Sequence, residues 1–183
     1  MHPLFQLILR DQYQKLPAVM HRFHEARIAQ FEGKAEVKGA NGFMARLLRK
    51  IGGFPPPASE NDLVVKVIRT EVKERWLRSF NNTQFSSSLT RVNRTNLLCE
   101  DFGLFNFYYT LRVRNERIVW KLERWSFAGI PMLDELVEVT ASEGVTPEGH
   151  YSFAFKLQFP LVGVLLDYSG WLVIPASRTT APH

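Results

Sequence analysis

The sequence predicts a mainly β (α+β) fold. An antiparallel meander of about nine strands curls into a barrel or a strongly curved sheet, with an N-terminal helix and one short helix after the first strand. Three observations carry this. From Leu63 onward apolar and polar residues alternate with a period of two, most cleanly over 105–113 and 151–159. Aromatic residues make up 13% of the chain, a composition suited to half-buried strands. Short turn signals such as Asn81-Asn82 and Asn115-Glu116 separate successive runs and join antiparallel neighbours. Such a meander must close or curl to hide its edges.

In chain order, residues 3–27 read as helical, with Leu16, Val19, Met20 and Phe23 at helical spacing and Pro17 acceptable in a first turn. His21 and His24 are three residues apart on this segment, close enough to share a metal, but no third ligand is visible nearby. An apolar helix face often carries a hydrogen-bonded histidine, and a polar group lining an interior is the other reading of His24. Phe31, Gly33, Ala35 and Val37 then alternate with charged residues, a strand whose small inward residues leave interior space. Asn41 is placed to cap a helix over 42–51. Phe43, Met44, Leu47, Leu48 and Ile51 share one side of that helix, Arg46, Arg49 and Lys50 the rest, and Gly52-Gly53 with three prolines end it. A basic amphipathic helix can touch an anionic membrane, yet an apolar face is also what packing on a sheet needs. Core packing or a lid is the expectation.

Residues 74–91 read as a hairpin about Asn81-Asn82. A two-residue turn sets Phe80 opposite Thr83, Arg78 opposite Phe85 and Trp76 opposite Ser87. Trp76, Arg78, Phe80, Phe85, Ser87, Leu89 and Arg91 then share one mostly apolar face. A second hairpin over 105–125 with Asn115-Glu116 as its turn puts Ile118, Trp120, Leu122 and Arg124 inward, and a one-residue slip would exchange its faces. Residues 136–142 are a further strand and 143–149 a surface loop. The stretch 161–174 is apolar on both faces, as a helix-backed strand would be.

A length of 183 residues bounds the chain to one β-rich domain over 1–175, with 176–183 as a disordered tail. The net charge of +5 comes with no basic block of five, so no nucleic-acid arm is indicated. One cysteine, Cys99, excludes an internal disulfide, fits a reducing cytoplasm, and is expected to be a buried thiol beside Leu97 and Leu98. No stretch has the length and polarity of a spanning helix. Phosphate loops, nucleophile elbows and metal-binding motifs are missing, and no cofactor or metal is implied.

A guanidinium keeps its charge inside a protein and needs an anionic partner. Arg78, Arg91 and Arg124 on apolar faces, with Trp76, Glu74, His24 and Tyr168, are therefore the candidate ligand-binding set. Either internal acids such as Glu74 neutralise the arginines, or the arginines clamp an anionic head of an apolar ligand. The leading functional reading is a non-enzymatic module binding a small, lipid-like amphipathic anion in the barrel. The alternatives are an enzyme or oxidoreductase accessory using His24 with an acid such as Glu100, and a structural or partner-binding domain with a filled core.

Trp76-x-Arg78-x-Phe80, Glu100-x-Phe102-Gly103, Gly129-Ile-Pro131, Pro160-Leu-Val-Gly163 and Tyr168-x-Gly170-Trp171-Leu172 together resemble family 4166 of the domains of unknown function. His24 and Gly39-x-x-Gly42 also resemble that family, and the likeness covers about residues 12–175. The resemblance implies a bacterial domain that elsewhere often follows a saccharopine-dehydrogenase-like or Rossmann oxidoreductase region, with no established activity to carry over. It supports the importance of Arg78.

Overall fold

Ten antiparallel strands close into a barrel in the computed structural model, which describes residues 3–81 and 83–176. Asn82 of the expected turn and residues 177–183 of the expected tail lie outside the described residues. The strands are β1 (Ile28–Lys38), β2 (Ala58–Arg69), β3 (Lys73–Phe80), β4 (Thr83–Arg91), β5 (Leu97–Phe102), β6 (Phe105–Arg114), β7 (Arg117–Phe127), β8 (Ile130–Met132), β9 (Glu138–Val145), β10 (Tyr151–Phe159) and β11 (Gly163–Val173). Each barrel strand pairs with its sequence neighbours, except that β7 passes directly to β9 and β1 pairs with β11 to close the ring. The short β8 lies outside that ring, against the end of β7. Alternation puts one side chain in two into the interior, which explains why the 13% of aromatic residues dominate the core.

The N-terminal segment is helical but broken. It comprises α1 (Leu4–Leu9), a 3₁₀ turn (Arg10–Lys15) and α2 (Ala18–Glu25), with Pro17 at the α2 N-cap. It caps one barrel end: Phe5 packs on Trp76 and Trp120 at ring distances of 6.2 and 5.8 Å, and Phe23 stacks on Tyr151 at 4.1 Å. Both phenylalanines are fully buried, each contributing about 1.5–3 kcal/mol, so the cap belongs to the core. At the other end Phe54 drops between Phe85, Phe102 and Phe105.

The β3–β4 hairpin has the register that a two-residue turn dictates, with Trp76↔Ser87, Arg78↔Phe85 and Phe80↔Thr83, and Asn81 takes a positive φ of 48°. The β6–β7 hairpin turns at Asn115-Glu116, both at positive φ. A bulge then intervenes, because Tyr109 pairs with Leu122 but Tyr108 pairs with Arg124. This corrects the expectation for Arg124. It lies on the exposed outer face, its guanidinium 4.5 Å over the Tyr108 ring, while Trp125 turns inward.

The helix α3 (Phe43–Gly52) is a second correction. It buries Ala45 and Arg49 against the barrel, while Phe43, Met44, Leu47 and Ile51 are 71%, 50%, 40% and 42% exposed. Arg49 fixes this orientation by donating from Nη1 to the carbonyls of Ala40 and Leu165, at 2.7 and 3.3 Å. Gly42, not Asn41, is the N-cap, and Gly53 at φ 65° closes the C-terminus with its N–H on Arg49 and Lys50 carbonyls. Cys99 is half-buried, not inside the core, and burial pushes its thiol pKa up.

Candidate functional site

Three neighbouring strands each aim one polar side chain into the apolar interior: Arg78 from β3, Ser87 from β4 and Glu100 from β5. The barrel stagger brings them into a line. Arg78 donates from Nη1 to Ser87 Oγ at 2.9 Å and from Nη2 to Glu100 Oε1 at 3.4 Å, and Ser87 donates to the same carboxylate oxygen at 2.7 Å. The guanidinium sits 5.0 Å from the Trp76 ring and 5.1 Å from the Phe85 ring. Burial raises the Glu100 pKa, with Arg78 and Ser87 pulling it back. Arg78 is thus answered by an internal acid.

A second acid faces the same interior. Glu143 of β9 meets His24 of α2, with His24 Nε2 and Glu143 Oε2 2.8 Å apart and neither residue open to solvent. The imidazole is held by the Phe5 ring at a centroid distance of 3.9 Å. The Tyr151 phenol lies beside the same carboxylate without an aligned hydrogen bond, and burial followed by the Glu143 charge raises its pKa well above 10.0. Glu143 in turn raises the Glu100 pKa, so the two carboxylates sense one another across the interior.

Near the helical cap a third buried pair joins Arg69 of β2 to Glu74 of β3, with Nε and Oε1 3.0 Å apart. That contact is an ion pair without hydrogen-bond alignment, since both atoms lack a hydrogen-bond partner. Arg69 also donates to the Ala26 carbonyl, and Glu74 accepts from Trp76 Nε1 at 3.1 Å. This pair ties the end of α2 to the barrel wall.

Between the first two polar groups lies a cavity of about 40 Å³. Its lining includes Arg78, Glu100, Glu143, Tyr151, Tyr168 and Trp120 together with aromatic walls from Phe23, Trp76, Phe153 and Phe155. The open volume admits a few atoms, well below the roughly 150 Å³ that takes a benzene ring. Tyr168 is pushed up to about 12, chiefly by burial. Lining this space, Tyr151 Oη, Glu143 Oε1 and Trp120 Nε1 are buried without an aligned protein hydrogen bond, and elsewhere in the interior so are Tyr109 Oη and His24 Nδ1. No group of three His, Cys, Asp or Glu suited to a metal occurs among the described residues.

Of the candidate set, Arg78, Trp76 and Tyr168 line the cavity, and His24 reaches it through Glu143. Glu74 serves Arg69 instead. Arg91 lies at the rim, where it donates to the Thr95 and Arg94 carbonyls at 2.5 and 2.7 Å, and Arg124 is outside. Glu143, Tyr151, Tyr109 and Arg69 escaped the sequence reading. The signal for two of them is alternation carried one step further: Leu63, Val65, Val67, Arg69 and Val139, Ala141, Glu143.

Fold and interior together define a helix-capped, closed antiparallel β-barrel domain with a buried polar centre. Within that class the chain belongs to the family described as Domain of unknown function (DUF4166), whose model matches residues 16–172. The match takes in α2 and every strand but for the last residue of β11, and α1 lies before it. No curated protein matches the chain. Among the described residues no helix is long and apolar enough to cross a membrane.

Proposed function

We propose that the barrel is a binding module for a small, largely apolar molecule that offers one hydrogen-bonding head to the interior centre between Arg78, Glu143 and Tyr151. The observation that carries this reading is that three buried polar atoms lining one cavity, Tyr151 Oη, Glu143 Oε1 and Trp120 Nε1, lack an aligned protein hydrogen bond. A buried group left unsatisfied costs about 1–3 kcal/mol, and three at one cavity favour a guest that completes their hydrogen bonds. The aromatic walls suit an apolar body, for which side chains such as Phe153, only half-buried, must rotate outward and enlarge the space of about 40 Å³.

An acidic head is the finer form of this proposal. It must take Arg78 from Glu100, and the raised pKa of Glu100 favours proton uptake by that carboxyl as the ligand arrives. Binding of an acid then consumes one proton, so its affinity falls as pH rises, by up to about tenfold per pH unit. An uncharged head shows no such slope. The lone half-buried thiol of Cys99 supports a cytoplasmic setting for the module.

A second reading rests on the His24–Glu143 contact of 2.8 Å. A carboxylate oriented by an imidazole is acid–base machinery, with Glu143 as the group that faces substrate and His24 as its positioning residue.

Native mass spectrometry of the purified chain, searched for a copurified small molecule, is the first test. Isothermal titration calorimetry then follows titration with indole, an uncharged probe, and with benzoate, at about pH 6 and about pH 8. Saturable binding is the expected result, weakened about tenfold or more in Tyr151→Phe for either probe and in Glu143→Gln for indole, whose N–H loses a charged acceptor. Turnover of a bound compound lost in Glu143→Gln selects the enzyme. No copurified compound and no saturable response select the filled-core scaffold and overturn the proposal.

A further inference from the structure

We infer that α3 and the neighbouring β10–β11 turn form a docking surface for an anionic lipid bilayer. The helix is amphipathic, yet the barrel holds it by its small and basic side. Ala45 and Arg49 are buried, and Arg49 is committed to the carbonyls of Ala40 and Leu165. The apolar quadrant of Phe43, Met44, Leu47 and Ile51 faces outward along the full length of the helix. The β10–β11 turn raises Leu161, 98% exposed, ahead of a segment held to the β1–α3 connection by the Ala40 N–H on the Val164 carbonyl at 2.7 Å and to α3 by Arg49 on the Leu165 carbonyl. Five large apolar side chains presented together are unusual for a surface that meets only water.

Charge decides what covers this face. The helix carries Arg46, Arg49 and Lys50 and no acid, and Arg46 and Lys50 are exposed on the flank of the apolar quadrant. A helix with an apolar face and cations at its edge lies in the headgroup region of an anionic bilayer, its apolar side chains among the acyl chains and its cations at the phosphates. A second copy of this chain fits less well, because the matching helix offers no acid to answer Arg46 and Lys50, whereas an anionic bilayer does. The inference does not depend on the interior reading, since none of these side chains lines the cavity.

The test is sedimentation of the full chain with vesicles of phosphatidylcholine alone and of phosphatidylcholine with about one third phosphatidylserine. Binding to the anionic vesicles, little to the neutral ones, and release in about 0.5 M salt are expected. Met44→Asp with Leu47→Asp weakens binding by about tenfold or more at an unchanged melting temperature, because both positions are exposed. Arg46→Glu with Lys50→Glu leaves the apolar face intact and removes the preference for phosphatidylserine. No binding to the anionic vesicles, or equal binding by the aspartate variant, overturns the inference. A dimer seen by light scattering that the aspartate variant abolishes, without vesicle binding, overturns it in favour of a second copy.

Discussion

Replacing Glu100 by glutamine keeps the shape of the side chain and its hydrogen bond to Ser87 while removing the charge that faces Arg78. At the observed 3.4 Å and an effective dielectric near 20, the gross attraction lost is about 5 kcal/mol. Removing one partner of a buried pair costs about 3–5 kcal/mol, because the survivor is left as an uncompensated charge. For a domain of this size that corresponds to a fall in melting temperature of about 6–20 °C. Arg78→Met should cost a similar amount near neutral pH, but the two losses differ in their pH dependence. Glutamine does not titrate and a guanidinium cannot shed its proton, so Glu100→Gln loses the pH dependence that the raised Glu100 carboxyl gives the parent. In Arg78→Met the buried carboxyl, already raised in pKa, is raised further. It then binds its proton more tightly folded than unfolded, so stability is regained as pH falls through that raised value toward the ordinary carboxylate range. The double variant removes both charges and should recover about 2–3 kcal/mol relative to the sum of the singles. Guanidinium denaturation of all four proteins at about pH 5 and about pH 8 measures the cycle. Additive losses, or a Glu100→Gln variant within about 0.5 kcal/mol of the parent, refute the assignment of Glu100 as the anion that answers Arg78.

Arg124→Ala should change stability by no more than about 0.5–1 kcal/mol, since an exposed cation over the Tyr108 ring is all it loses, and a thermal melt separates it from Arg78→Ala. All five tyrosines have raised pKa values, so alkaline titration followed by tyrosinate absorbance should show little ionisation near pH 10.0 until the chain unfolds. The folded state holds these protons more tightly than the unfolded chain, and stability therefore declines as pH climbs above 10.0. Gly33→Ala should cost at least about 2–3 kcal/mol in denaturant melts, because a Cβ there would sit 1.8 Å from the Trp171 carbonyl oxygen, a backbone atom that cannot rotate aside. A neutral result would show that β1 and β11 have room to part.

Strands were legible because burial on one face writes a period of two into the chain, and the β3–β4 register was legible because a two-residue turn leaves no slack. The β7 bulge hid Arg124: Glu123 and Arg124, two charged residues in succession, break the alternation there, and a break can be read as either a face exchange or a bulge. Glu143 was lost to the turn-like residues Gly144, Pro147 and Gly149, although the strand runs on through Gly144 paired with Ser152. The amphipathicity of α3 was plain, but hydropathy does not reveal which side docks. Two long-range hydrogen bonds from Arg49 set that. The His24–Glu143 contact joins residues from opposite ends of the chain and leaves no local pattern.

The seam between β1 and β11 has a consequence for how the barrel comes to exist. Every other barrel pairing joins strands close in sequence, whereas Glu32↔Val173 to Lys38↔Asp167 join the first strand to the last. During synthesis β1 therefore waits with one bare hydrogen-bonding edge until β11 has been made, and closure is the slow, long-range step. At that seam Gly33 and Gly170 leave no side chain in the way of the opposing backbone, where a Cβ would meet Trp171 or Lys34 carbonyl oxygens. A side chain added there does more than lower a melting temperature. It lengthens the life of an open sheet with two unpaired edges, and such edges find other chains.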